Sequence, residues 1–327
     1  MSLDSIKQPV LAQLATVDHV IRTRLASDVV LVNQVAEYII QSGGKRVRPL
    51  VTVLAGQACG QPSSPQAHER LASTAAVVEF IHTATLLHDD VVDSSALRRG
   101  QDTANAVWGN QASVLVGDYL YSRAFEMMVE LGSMRVMDVM ASATNKIAEG
   151  EVLQLMNAHD PDTTEARYFD VIYRKTAKLF ESGAQIAAII ANASPEHERA
   201  LADYGKYLGT AFQLVDDVLD YRASAEEMGK NLGDDLAEGK PTLPLIHALK
   251  HGNAGQQEII RSAIEHGGLE SIAAVTQIIE ATGGLKYTAD QARHQTDLAI
   301  KALTALPDSN YKQSLHDLAE FAVKRSY

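Results

Sequence analysis

The chain has 327 residues and a mass of 35.4 kDa, with 46% hydrophobic and 21% charged residues. That is enough to bury a sizeable core, and it is far from the composition of a disordered chain. Lys and Arg number 29 against 41 Asp and Glu, and the resulting charge of −12 argues against general nucleic-acid binding. Phosphate ligands stay open, because a few clustered cations or a divalent metal can bridge to them. The single Cys59 excludes an intrachain disulfide and a cysteine-rich zinc site, and fits a reducing compartment.

The first ten residues carry Asp4 and Lys7 and no apolar core, so no secretory signal is expected there. No run of about 18 apolar residues occurs, so no membrane span is expected and the default setting is cytoplasmic. Further along, Gly43-Gly44 reads as a helix stop, and Lys45, Arg46 and Arg48 follow it directly before Pro49. Long proline-free stretches, Pro65 to Pro161 and Pro195 to Pro241, are rich in helix formers. Helix starts are expected at Asp162-Thr163-Thr164-Glu165 and Ser194-Pro195-Glu196, and further stops at Gly267-Gly268 and Gly283-Gly284. Strand-like alternation is almost absent and no linker divides the chain. The expected fold is all-α, one domain spanning residues 1–327.

One motif occurs twice. Leu87-His88-Asp89-Asp90-Val91-Val92-Asp93 is echoed by Leu214-Val215-Asp216-Asp217-Val218-Leu219-Asp220. On a helix, residues four apart share a face, so Asp89 lies above Asp93, and Asp216 above Asp220. Like charges so placed repel, and a helix C-terminus adds its own negative pole. Alone, such a cluster is most simply a solvated acidic helix end. Two clusters flanked by core-forming residues point instead to an interior cavity where the carboxylates are paired or metal-bound. Magnesium is the natural guest, since it takes few carboxylates and leaves positions for phosphate oxygens.

The basic residues are individually ordinary. Arg98 and Arg99 follow Asp93 by a short loop, Lys175-Thr176 lies on a helical run, and Lys230 and Lys240 bracket Asp234-Asp235 in what reads as a glycine-rich loop. His82 sits seven residues before Asp89, about 20° short of two helical turns. Together they supply the positive charge an acidic chain needs for a polyanionic substrate.

These segments resemble the trans-isoprenyl diphosphate synthases. Leu86 to Gly100 is similar to that family's first aspartate-rich motif, Leu208 to Asp220 to its second, and Gly43 to Pro49 to its homoallylic-substrate segment. The likeness runs from about residue 30 to about residue 250. Glu79 to Thr85 and Ala148 to Leu155 resemble the long-chain octaprenyl and nonaprenyl synthases that make quinone side chains.

The resemblance implies an antiparallel helical bundle around a central cavity, and a homodimer. It implies Asp89, Asp93 and Asp216 as direct magnesium ligands, with Asp90, Asp217 and Asp220 acting through water or hydrogen bonds. Lys175, with those three aspartates, would carry the chemistry. Arg98, Lys175, Thr176, Gln213, Lys230 and Lys240 would hold an allylic diphosphate. Lys45, Arg48, His82 and Arg99 would hold isopentenyl diphosphate. The family's usual length-limiting position falls on Ala84, with Thr85 and Ile81 near it, and none of these is aromatic. An ideal wheel, however, puts Ala84 about 140° from Asp89. Competing readings are a shorter-chain synthase, a terpene cyclase, a non-catalytic subunit of a heteromeric synthase, or a purely structural helical protein. The intact acidic motifs, the Gly43 to Pro49 segment and the small residues at 84 and 85 speak against them.

Overall fold

The computed structural model describes residues 2–41, 44–60, 64–98, 100–222 and 233–324. The chain begins with α1 (Leu3–Lys7), α2 (Leu11–Leu25), α3 (Val30–Gln41) and α4 (Val47–Ala58). Next come α5 (Pro65–Val92), α6 (Ala104–Trp108), α7 (Asn110–Glu130) and α8 (Met134–Asn157). α9 (Glu165–Ile172), α10 (Lys178–Ile190) and α11 (Pro195–Leu219) complete the region of the two motifs. The C-terminal part holds α12 (Asp234–Ala237), α13 (Leu243–His251), α14 (Ala254–His266), α15 (Ile272–Ala281), α16 (Gly284–Ala302) and α17 (Asn310–Lys324). The fold is the expected all-α antiparallel bundle. A two-residue hairpin, β1 (Leu97–Arg98) with β2 (Gln101–Asp102), sets Arg98 opposite Gln101.

Local chemistry accounts for many of the boundaries. Ser64 caps α5 by accepting from the Ala67 amide, with Pro65 at the first helical position. Thr164 caps α9 and Ser194 caps α11, at two of the starts read from the sequence. Gly267 ends α14 with φ +66°, and Gly283 at φ +78° separates α15 from α16, both in left-handed backbone that favours glycine. Asp234-Asp235, expected in a loop, instead opens the short helix α12 after Gly233. Carboxylates in a first turn suit the positive pole of the helix.

The central helices are apolar almost all round, as buried helices must be. Every residue of α4 from Pro49 to Ala58 is buried, and so is the run Thr74 to Val78 of α5. The main core joins Ile21, Leu50, Leu54, Phe80, Leu120, Met140 and Tyr204. Leu87, fully covered just before the first acidic motif, contributes about 1.5–3 kcal/mol by its burial. A smaller cluster of Leu236, Leu245, Ile260, Ile264 and Ile279 supports the C-terminal helices.

Between α9 and α10, Tyr173–Ala177 winds as a π-helix, a form frequent at functional sites. Two glycines let it sit close to its neighbours. A Cβ on Gly150 of α8 would lie 2.8 Å from the Lys175 amide nitrogen, and one on Gly209 of α11 would lie 2.7 Å from Ala177 Cα. This wide turn carries Lys175 and Thr176 to the point where α5, α8 and α11 converge.

Candidate active site

A cavity of about 830 Å3 opens among α5, α8, the π turn, α10, α11 and the segment that follows α12. Both acidic motifs sit at C-terminal helix ends on its wall. Asp93 is the C-cap of α5 and Asp220 the C-cap of α11. Asp89, Asp93, Asp216, Asp217 and Asp220 all line the cavity, as do Lys45, Arg48, His82, Thr85, Arg98, Lys175, Thr176, Gln213 and Lys240. Arg99 and Lys230 lie outside the described residues.

The first bank is held by lysines from elsewhere in the fold. Lys175 Nζ is 3.6 Å from Asp89 and 2.6 Å from Glu151 of α8. Lys240 Nζ is 3.2 Å from Asp93 and also contacts Glu238. Burial pushes the Asp89 carboxyl above its ordinary pKa; Lys175 opposes that shift and Asp93 adds to it. Burial pulls the Lys240 ammonium down, but Asp235, Asp93 and Glu238 outweigh it and the net shift is upward. Lys175 is raised in the same way by Asp89 and Glu151. Each lysine is therefore firmly charged.

Asp90, expected to act through water or hydrogen bonds and not as a direct ligand, stands apart from Asp89 and Asp93. It is 1% exposed and accepts from Arg98 Nε and NH2 at 2.8 and 2.7 Å, away from the cavity wall. One residue along a helix is 100° of rotation, so Asp90 cannot share the face of Asp89 and Asp93. It anchors the guanidinium of Arg98, which itself reaches the cavity.

In the second bank, Asp216 is exposed while Asp217 is almost fully covered. Tyr168 donates its hydroxyl to one Asp217 oxygen at 2.5 Å, and Gln213 Nε2 donates to the other at 2.9 Å. Thr176 in turn donates to Gln213 Oε1 at 2.9 Å, so the π turn and α11 are joined by one hydrogen-bonded chain. Burial, with Asp235 nearby, pushes the Asp217 carboxyl up to about 8 against the pull of those two donors.

A separate basic group lies toward α4. Arg48 NH1 is 3.0 Å from His82 Nε2, and its guanidinium lies 4.5 Å over the Phe180 ring, which stacks on Phe212. Arg46, in left-handed backbone at φ 46°, also borders the cavity and pairs with Asp18 at 2.6 Å. Lys45 remains exposed at the cavity edge.

The residues expected to limit product length divide. Thr85 lines the cavity, whereas Ala84 and Ile81 are fully buried and are not part of its wall. The Ala84 carbonyl faces Gly117 of α7, where the helical wheel puts it. Sequence reasoning missed Glu151 and Tyr168, whose partners are remote in the chain and joined to them only by the fold, and it missed Glu238, which stands just two residues before its partner Lys240.

The profile of the polyprenyl synthetase family matches residues 29–282. The octaprenyl diphosphate synthase of Escherichia coli K12 is 54% identical over 326 residues, covering 99% of both chains. The all-trans-nonaprenyl-diphosphate synthase of Rhodobacter capsulatus is 45% identical, covering 98% of this chain and 97% of its own. A polyprenyl synthase from Caulobacter crescentus CB15, crystallised with calcium and isoprenyl diphosphate, superposes with a TM-score of 0.95 at 43% identity. That match covers 100% of this chain and 98% of the other. The chain belongs to the polyprenyl synthetase family. It is a prenyltransferase.

For such a polyprenyl synthetase the donor chemistry suits a hard divalent cation, because Asp89, Asp93 and Asp216 offer only oxygen. Among the described residues no three acidic, histidine or cysteine side chains close on a single point.

The raised pKa of Asp217 has a stability consequence. Its folded form keeps a proton that the unfolded chain releases near pH 4, so this contribution to stability is lost as pH rises from about 4 to about 8. In metal-free protein, Asp217→Asn lacks that loss. Its unfolding midpoint relative to wild type is expected to climb across this window and level off above it. Thermal denaturation at several pH values checks this, and a constant difference would contradict it.

Proposed function

We propose that this prenyltransferase elongates an allylic diphosphate, with farnesyl diphosphate as primer, by successive additions of isopentenyl diphosphate. The product is a long-chain all-trans polyprenyl diphosphate, of octaprenyl or nonaprenyl length, for quinone side chains. The observation that carries the reading is the cavity itself: acidic banks with their lysines on one side, and Arg48, His82 and Lys45 on another. The likeness to octaprenyl and nonaprenyl synthases over nearly the whole chain supports the product class.

Asp89, Asp93 and Asp216 would hold magnesium, with Asp217 and Asp220 supporting them from α11. Bound magnesium would neutralise the charge that grows on diphosphate as the C–O bond breaks. Lys175 and Lys240 donate to the same leaving group, while Arg98, Thr176 and Gln213 fix its position, joined by Lys230. Arg48, Lys45, His82 and Arg99 hold the second diphosphate so that its double bond faces the allylic carbon. Catalysis is then mainly a matter of placing two reactants. Leu86, Ile147, Leu179 and Phe212 keep water from the allylic cation. The released diphosphate takes the proton, so no protein base is required.

The whole chain is read as one unit in the cytoplasm, and no helix among the described residues is long and apolar enough to cross a membrane. A homodimer is part of the same proposal. Ala148, Val152, Leu155 and Met156 form an exposed apolar stripe on α8, with Leu115 exposed on α7, and this is the face a second copy would cover.

The test is incubation with farnesyl diphosphate, labelled isopentenyl diphosphate and magnesium, followed by sizing of the dephosphorylated products. Wild type is expected to give chains of eight or nine isoprene units. Asp89→Ala and Asp216→Ala are each expected to lose about 100-fold or more in turnover, and near wild-type rates in both would refute the metal roles. Because Thr85 borders the cavity and Ala84 does not, Thr85→Phe is expected to shorten the products. Unchanged lengths in that variant would remove Thr85 as the gauge.

A further inference from the structure

Two glutamates outside the aspartate motifs touch the two cavity lysines, and the mechanism has so far given them no work. Glu151 projects from α8 onto Lys175, and Glu238, the C-cap of α12, onto Lys240. In each case one lysine is shared by a motif aspartate and a glutamate: Glu151 reaches Lys175 from α8, and Glu238 stands two residues before Lys240 in the same segment. We propose that Glu151 and Glu238 are positioning residues that retain Lys175 and Lys240 at the cavity mouth when Asp89 and Asp93 are surrendered to the divalent cations of the allylic diphosphate complex. The inference rests on the reading of those aspartates as metal ligands.

Two observations carry it. First, Lys175 lies at hydrogen-bond distance from Glu151, 2.6 Å, but at 3.6 Å from Asp89, so Asp89 can change partners without losing a direct hydrogen bond. Second, the glutamates are electrostatically unfavourable unless they do something. Lys175 alone would compensate Asp89, yet a further carboxylate is placed beside two aspartates in a poorly solvated wall. Burial, together with Asp89 and Asp93, pushes the Glu151 carboxyl upward against the pull of Lys175. Burial and Asp93 raise Glu238 likewise, against Lys240. A lysine without its glutamate would either collapse onto the aspartate and compete with the metal, or leave the site once the metal arrived. Tethered, it needs only a small pivot to reach a diphosphate oxygen.

Both glutamates contact lysines assigned to the allylic diphosphate, Lys175 and Lys240, so their loss should be felt on that substrate. The experiment compares wild type with Glu151→Gln and Glu238→Gln, which keep shape and remove charge. Calorimetry measures binding of inorganic diphosphate in the presence of magnesium, and steady-state assays give both KM values and the half-saturating magnesium concentration. Denaturation without ligand gives the unfolding midpoint. In each variant, diphosphate affinity is expected to fall about tenfold, with similar rises in the farnesyl diphosphate KM and the magnesium requirement. The isopentenyl diphosphate KM and the unfolding midpoint are expected to stay near wild type. Unchanged diphosphate and magnesium affinities overturn the inference, and so does a parallel rise of both KM values with a lowered midpoint, which marks a merely structural role. Failure of wild type itself to bind diphosphate with magnesium would overturn the reading of the aspartates, and the inference with it.

Discussion

Mutual repulsion of carboxylates gathered at two helix C-termini is the constraint around which this molecule is arranged. Each bank stands where a helix pole is already negative, and burial removes much of the solvent that would screen Asp89, Asp217 and Asp220, while Asp216 stays exposed. Without positive partners such an assembly would not stay ionised. The fold supplies Lys175 and Lys240 from two other elements, and the substrate complex would bring further cations. In the proposed function, charge that is costly by itself would become binding capacity for a polyanion.

Much of the backbone serves this arrangement. The π turn aims Lys175 and Thr176 inward, and Gly150 and Gly209 permit its close approach to α8 and α11. Gln213 then links Thr176 to Asp217, so the lysine-bearing turn and the second acidic helix are held in register. The basic pocket is kept distinct, with Arg48 fixed between His82 and the face of Phe180. Under the proposed function, each cationic group would orient one of the two diphosphates.

The helical class, several helix ends and the repeated acidic motif were legible in the sequence because they depend on residues close together in the chain. Thr164, Ser194, Gly267 and Gly283 mark boundaries by local hydrogen bonding and backbone preference alone. Helical geometry also put His82 on the face of Asp89 and turned Ala84 away from it, and both side chains lie accordingly. The return of Arg98 to the first acidic motif by a short loop was legible from the spacing, but its capture by Asp90 was not, since that depends on how the small hairpin folds the chain back. Nor was the π turn, which no residue preference announces and which Gly150 and Gly209 of the neighbouring helices approach closely. Glu151 is 24 residues from Lys175 and could be matched to it only after α8 had packed against that turn.

The central claim is most directly tested by a crystal structure of the protein with magnesium and a non-hydrolysable farnesyl diphosphate analogue. The account predicts the diphosphate group between the two acidic banks, metal ions shared by its oxygens with Asp89, Asp93 and Asp216, and the ammonium groups of Lys175 and Lys240 on the same oxygens. A diphosphate bound elsewhere, with the aspartates still paired to their lysines and no metal between the banks, would contradict it.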